Sequence, residues 1–279
     1  MKGKIKYMVF SLLLAVTILI LPGCDKATEN RIKIMTSTSL MTYIVEQVGG
    51  KYVEAINLVP PNQHPGNFDM KPSDIESLAT ARVFLLHGWP GETYVDKLVE
   101  AAQNPQLEVI KTTVNGNWMI PQFQSEAVDK VKAVLIQIDA EHKAAYEKNA
   151  AAYKSRIADK ETAIKNRLAA GNVSEVKAIA SFRQADFLTW AGFNVVATFT
   201  GPGAMTPQVT ADLIAKGKEN NVTIVVNNVQ DGQDAGKAVA TDLGAANVNL
   251  SNFPGGFINT ETWEKAIDYN VTLLLEAVK

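Results

Sequence analysis

The sequence predicts an α/β protein of two similar lobes, each on a mainly parallel sheet, joined by a long backbone helix with a ligand cleft between them. Three observations predict it. Short β-rich runs alternate with helical stretches over residues 32–122 and again over 171–279, the pattern of parallel strands covered on both faces. Between these halves, residues 125–170 contain no glycine or proline and keep helical apolar spacing. The composition, 47% hydrophobic and 20% charged over 279 residues, is that of a folded chain and excludes disorder or low-complexity structure. A formal net charge of −2 offers no basic footprint for nucleic acid. The single cysteine excludes a thiolate cluster, a CxxC redox pair and a disulfide framework.

Residues 1–23 stand apart from the fold. Lys2, Lys4 and Lys6 form a positive n-region, and residues 8–21 are an apolar run of h-region length. The run ends Leu21-Pro22-Gly23-Cys24, which resembles the lipobox of lipoprotein signal peptides, so Cys24 is the expected lipidation site and mature N-terminus. The alternative, an uncleaved anchor helix, needs about 20 apolar residues and the run is short for it. Cleavage would leave 256 residues, with 24 basic and 29 acidic side chains and a net charge of −5. Residues 24–31 read as a polar tether.

In the first lobe, residues 32–122, strands are expected at 32–36, 52–59, 82–86 and 107–111, with helices at 40–48, 72–79 and 94–102 between them. Pro72-Ser73-Asp74 opens its helix with proline and an acid at the positive end. The helical segment, 123–170, divides into a stripe of Val128, Val131, Val134, Leu135 and Ile138 and a run over 141–168. The latter has a sparse seam of Tyr146, Tyr153, Ile157 and Ile164 and would span about 40 Å, long enough for a strut. The second lobe, 171–279, repeats the alternation with strands at 176–180, 194–198, 222–226 and 246–250. Its helices are expected at 185–190, 206–216, 235–243 and 260–278. Thr206-Pro207 is an N-cap and N1 pair. Ligands in such sheets bind outside the carboxyl ends of the strands.

Several stretches in order resemble the cluster A-I substrate-binding lipoproteins of manganese and zinc ABC transporters, over essentially the whole mature chain. They are the opening strand and helix to Val48-Gly49-Gly50, Leu58-Val59-Pro60, Pro72-Ser73-Asp74-Ile75, His87-Gly88-Trp89-Pro90-Gly91-Glu92, Asn117-Trp118-Met119-Ile120-Pro121 and Tyr146-x-x-Asn149-x-x-x-Tyr153. The resemblance implies metal held between the lobes by histidines and carboxylates. Here those positions depart. The first family histidine falls on Gly66, or on Asn67 with a one-residue deletion, with His64 out of register. The second falls on Gly116, and the third near Ser181 in Ser181-Phe182-Arg183-Gln184. The acidic positions read Asn227-Asn228-Val229-Gln230-Asp231 and Ser251-Asn252-Phe253-Pro254.

Zinc and manganese sites without thiolates need imidazole or carboxylate donors, and the chain has three histidines. His142, amid charge on the strut helix, reads as solvated. His87 ends an apolar strand, where it would either face the cleft or be satisfied by backbone. His64 sits in a proline-stiffened loop where the family binds. His64 and His87 are therefore the candidate metal ligands. Asn67, Asp69, Asn117, Trp118, Arg183, Asn228, Asp231 and Asn252 are cleft candidates. Asp69 also reads as a capping or salt-linked carboxylate, and Trp118 as core. Arg183 would repel a bare divalent cation, whereas its fork suits a carboxylate; an ordinary salt-linked arginine is the alternative.

There is no catalytic expectation: the chain lacks Gly-x-Ser-x-Gly, His-Glu-x-x-His and a cysteine nucleophile. The implied function is an extracytoplasmic substrate-binding lipoprotein of an ABC importer, monomeric and lipid-anchored at the membrane, with an ABC permease as partner. Its expected cargo is a divalent metal ion of the zinc or manganese class in a remodelled site. A metal chelate or small organic or anionic solute on the same scaffold is the alternative. No cofactor is expected; any bound metal would be cargo.

Overall fold

The computed structural model describes residues 31–279; the expected signal segment 1–23, Cys24 and all of the tether but its last residue lie outside the described residues. The first lobe runs β1 (Ile32–Thr38), α1 (Ser39–Gly49), β2 (Val53–Val59), α2 (Pro72–Ala79), β3 (Val83–Leu86), α3 (Val95–Ala102) and β4 (Glu108–Lys111). Two helices follow, α4 (Pro121–Ile138) and α5 (Lys143–Ala170). The second lobe runs β5 (Lys177–Ser181), α6 (Phe182–Ala191), β6 (Asn194–Phe199), α7 (Pro207–Asn220), β7 (Ile224–Asn228), α8 (Lys237–Leu243), β8 (Ala246–Leu250) and α9 (Trp263–Ala277). Each lobe is thus a four-stranded α/β unit.

Both sheets are parallel throughout and share one topology, β2-β1-β3-β4 and β6-β5-β7-β8. In each, the order reverses between the first and third strands of the lobe, and a crevice opens there beyond the carboxyl ends. Alternate strand residues feed opposite faces. Val83 and Leu85 of β3 join the core shared by the lobes, while Phe84 and Leu86 pack with Leu78 of α2 and Leu98 of α3. In β7, Ile224 and Val226 enter the shared core and Val225 packs with Leu213 and Val239 behind the sheet. Strands apolar on both faces are what a doubly covered parallel sheet requires.

The shared core makes the two lobes one compact unit. The 28-residue α5 supplies Tyr146, Ala150, Tyr153, Ile157, Ile164 and Leu168 to it, one buried stripe on an otherwise polar helix. Its flanks are tied to both sides. Asn149 Nδ2 donates to the Val48 carbonyl in the first lobe (3.0 Å). Arg167 donates to Asp268 (3.2 Å) and Thr272 (2.7 Å) of α9. The buried Trp263 of α9 donates its indole N–H to the Trp118 carbonyl (3.1 Å), crossing between lobes.

Three local differences from the sequence expectation have physical causes. The 125–170 helix is interrupted at Asp139 (φ −151°, ψ 76°), whose carboxylate accepts from the Tyr146 hydroxyl and from His142 Nδ1 (2.7 Å). His142 is therefore not a solvated histidine: its ring stacks on Tyr52, with centroids 3.8 Å apart. Helix α4 begins at Pro121 rather than residue 125, with proline in the first turn where its missing N–H costs nothing. Helix α6 begins at Phe182 rather than 185, capped by the Ser181 hydroxyl, which accepts from the Arg183 N–H (3.4 Å). That three-residue extension carries Arg183 into a helix's first turn.

Replacing Trp263 by alanine should cost about 3–5 kcal/mol of unfolding free energy, since it empties a large buried site and orphans the Trp118 carbonyl. Urea denaturation measures this; a loss under about 1 kcal/mol would place α9 outside the common core.

Candidate ligand site

The connections that leave the carboxyl ends of the strands meet in a cleft of about 430 Å³ between the lobes. Leu40, Trp89, Pro90, Gly91, Asn117 and Trp118 reach it from the first lobe, together with His64 and Pro65. Phe182, Arg183, Asp186, Asn228, Gln230, Asn252 and Phe253 reach it from the second. Its walls are more apolar than polar, and the polar groups form a connected ladder.

Asn117 Nδ2 donates across the lobes to Asn252 Oδ1 (2.9 Å) and to the Arg183 carbonyl (3.1 Å). Gln184 Nε2 donates to the same Asn252 oxygen (3.1 Å) and to Asn228 Oδ1 (2.9 Å). Asn228 Nδ2 donates to Asp231 (3.0 Å), and Arg183 Nε donates to Asp231 from the other side (3.0 Å). Gln230 Nε2 reaches the Pro61 carbonyl in the first lobe (2.7 Å). Where the family resemblance places carboxylates, this chain has the amides of Asn228 and Asn252, which Gln184 and Asn117 satisfy. The exception is Gln184 Oε1, which is buried without a partner.

His64 lines the cleft with its Nε2 4.0 Å from Asp231. Its Nδ1 accepts from the Gly66 N–H (2.9 Å), so in the neutral ring the proton sits on Nε2, facing Asp231. The lone pair a metal would need is already engaged. Burial lowers the His64 pKa first, with the Arg183 charge adding to it and Asp231 partly opposing. Both effects disfavour extra positive charge beside this ring.

His87 is elsewhere. It is 1% exposed, stacked beneath Trp89 at 3.7 Å between centroids and 13° between planes, with Trp118 at 4.2 Å. Its Nε2 lies 2.7 Å from Thr38 Oγ1, and Nδ1 has no partner among the described residues. The Glu92 carboxylate shapes the loop above it by accepting the N–H groups of His87 (3.1 Å), Gly88 (2.7 Å) and Trp89 (3.1 Å), with Gly88 at φ +84°. The proposed pair of histidine ligands is therefore not brought together: an indole separates His87 from the cleft.

Among the remaining sequence candidates, Asn117, Trp118, Arg183, Asn228 and Asn252 line the cleft, and Asp231 stands behind Arg183. Trp118 does so from within the core, 1% exposed. Asn67 and Asp69 are exposed and do not line it. Asp69 does not cap α2 either; Asp74 does, its carboxylate accepting the Lys71 N–H (2.8 Å). Gly116, where the second family histidine falls, has φ +129°, and a Cβ there would lie 2.6 Å from the Phe123 ring. Phe182, Gln184, Asp186, Gln230 and Phe253 were not singled out from the sequence. The signal that could have found them is position: each follows the end of β5, β7 or β8 within a few residues. Among the described residues no group of three or more His, Cys, Asp or Glu side chains is placed to hold a metal.

Two parallel-sheet lobes around a cleft at their strand ends, joined by a long central helix, define a two-lobed α/β class of fold. The family model of the zinc-uptake complex component A, periplasmic (ZnuA), matches residues 34–277, and the chain belongs to that family. The manganese-binding lipoprotein MntA of Halalkalibacterium halodurans is 27% identical over 130 residues, 44% of this chain and 42% of the relative. MntA of Bacillus subtilis is 24% identical over 158 residues, 49% of this chain and 52% of the relative. The chain thus spans about half the length of the curated relatives it matches. A crystal structure of ZnuA superposes with a TM-score of 0.76 at 21% identity, covering 90% of this chain and all of that one. The Mn-bound periplasmic metal-binding protein of Candidatus Liberibacter asiaticus gives 0.75 at 14%, covering 89% and 100%. These two likenesses establish the fold.

The buried His87 makes stability depend on pH. Burial pushes its pKa from 6.5 down to about 3, so between these values the unfolded chain takes up a proton that the folded chain refuses. Stability should therefore fall as pH drops through that window. The melting temperature of His87→Phe, which keeps a ring beneath Trp89, should fall less steeply than that of the unaltered protein; equal slopes would refute the assignment.

Proposed function

We propose that the protein is the extracytoplasmic substrate-binding component of an ABC importer, anchored through lipid on Cys24, which captures cargo in the cleft and delivers it to a membrane permease. The observation that carries this reading is the matched pair of lobes whose switch-point loops converge on one cleft. Membership of the family supports it, as do the relatives named as binding lipoproteins. The protein acts as a monomer that presents one solute at a time and performs no chemistry on it.

Those named manganese-binding relatives make a divalent metal of the zinc or manganese class the first reading of the cargo. The donor set favours the second reading. A bare ion would find His64, whose Nδ1 lone pair is engaged by the Gly66 N–H, Asp231, neutralised by Arg183, and Asp186 on the rim, with no three such groups converging among the described residues. A metal that arrives with its own ligands, or a small organic anion, asks for no such donors.

Two measurements test these statements. Radiolabelled palmitate should be incorporated by the full chain in cells and not by Cys24→Ala; label retained in that variant removes the anchor. Calorimetry on chelator-stripped protein should show zinc and manganese chloride binding more weakly than about 1 μM, roughly −8 kcal/mol. Sub-micromolar binding that disappears in His64→Ala would restore the bare-ion reading.

A further inference from the structure

Arg183 is held in a way that sets it apart from Arg82, Arg156 and Arg167. Each of those commits at least one terminal guanidinium nitrogen: Arg82 to Glu108 (2.6 Å), Arg156 to Gln47, Arg167 to Asp268 (3.2 Å) and Thr272 (2.7 Å). Arg183 is anchored at the base of its head group only. Its Nε donates to Asp231 (3.0 Å), and its Cζ lies 4.8 Å from the centre of the Phe182 ring. Both Nη atoms lack a hydrogen-bond partner among the described residues, on a side chain that lines the cleft and is 36% exposed. A guanidinium fixed through Nε presents the parallel donors that match a carboxylate in bidentate geometry.

The surroundings complete the site. Arg183 occupies the first turn of the ten-residue α6, whose positive end also favours an anion. Asp231 is satisfied by Asn228 and Arg183, so its charge is spent within the protein. Across the cleft, Trp89 of the first lobe and Phe253 of the second lie nearly parallel, 19° between planes and 6.4 Å between centroids. His87 covers one face of Trp89, the Phe253 ring is 4% exposed, and the 6.4 Å spacing leaves no room for a third ring between them, so the pair forms an apolar wall against which the nonpolar body of a solute can lie. Asp186, one turn beyond Arg183, lines the same wall with no partner among the described residues and would repel a second carboxylate at that end.

We propose that Arg183 is the docking group for the carboxylate of a monocarboxylate solute, whose nonpolar body lies against the wall of Trp89 and Phe253. This inference rests on the reading of the cleft as a solute site and adds the chemical class of the solute. A free carboxylate and a carboxylate chelate of a metal share this chemistry.

The test uses the full chain, stripped with a chelator, with tryptophan fluorescence and calorimetry as readouts. The probes are pyridine-2-carboxylate, its zinc complex, the neutral pyridine-2-carboxamide, and zinc chloride alone. The carboxylate should bind and the carboxamide should bind at least about tenfold more weakly, the difference a charge-assisted bidentate contact makes. Arg183→Gln should lose at least about tenfold in carboxylate affinity with the carboxamide unchanged. Arg183→Lys, which keeps the charge for Asp231 and loses the fork, should lose affinity likewise, and guards against a folding artefact. Tighter binding of the zinc complex than of the free acid identifies a chelate as the source; the reverse identifies the free acid. Equal affinity for acid and amide, or an Arg183→Gln variant that binds the acid unchanged, overturns the inference and leaves the solute-site reading standing. Absence of heat and fluorescence change with all four probes, and of any co-purifying solute in native mass spectra, overturns both.

Discussion

The buried seam along α5 is the constraint on which the cleft depends. Tyr146, Tyr153, Ile157 and Ile164 sit in a single apolar core with Ile34 and Leu85 of one sheet and Ala180 and Val226 of the other. A core common to both lobes fixes their separation in the way a well-packed interior fixes any pair of elements, with little compliance. The cleft loops inherit that spacing. Asn117 can meet Asn252 at 2.9 Å, and Gln230 can meet Pro61 at 2.7 Å, because the strands that launch those loops are already set by packing behind them. Tyr43 extends the same logic to the flank, donating to Glu264 of α9 (2.7 Å) from α1.

The chemistry inside the cleft follows from its side-chain amides. Asparagine and glutamine both donate and accept, so Asn117, Asn252, Gln184 and Asn228 form a chain that is neutral at any pH and needs no cation to hold it together. The one carboxylate in the chain, Asp231, is matched by the Arg183 guanidinium at 3.0 Å. In a partly buried setting, charge matched in this way has little left with which to hold a divalent ion, while the arginine's outer nitrogens still offer donors.

Much of the fold was legible in the sequence because parallel α/β architecture writes itself as alternation. The strand at 82–86 and the helix at 72–79 could be read from apolar runs and a proline start, and the structure has β3 and α2 there. The beginnings of α4 and α6 were less legible. In both, a capping or proline residue precedes the first periodic apolar position, and periodicity alone places the start too late. The site was legible by position and not by contact. Residues following strand ends could be named, among them Asn228 and Arg183. Whether a side chain enters the cleft depends on tertiary packing that no local pattern encodes. His87 shows this: a strand-end histidine looks available until the Trp89 indole is laid over it at 3.7 Å. Asn67 and Asp69 are likewise exposed and away from the cleft, while Phe68 between them packs against Tyr94.

Gly116 carries a consequence for substitution. The sequence resemblance would put a histidine there, but φ is +129° and the Phe123 ring lies 2.6 Å from where a Cβ would be. Any side chain there would adopt a backbone conformation that L-residues rarely take and would collide with an aromatic ring. Gly116→His would therefore unsettle the loop, and accommodating it would need Phe123 and the backbone to change as well. An imidazole therefore cannot be introduced at this point of the cleft by changing Gly116 alone.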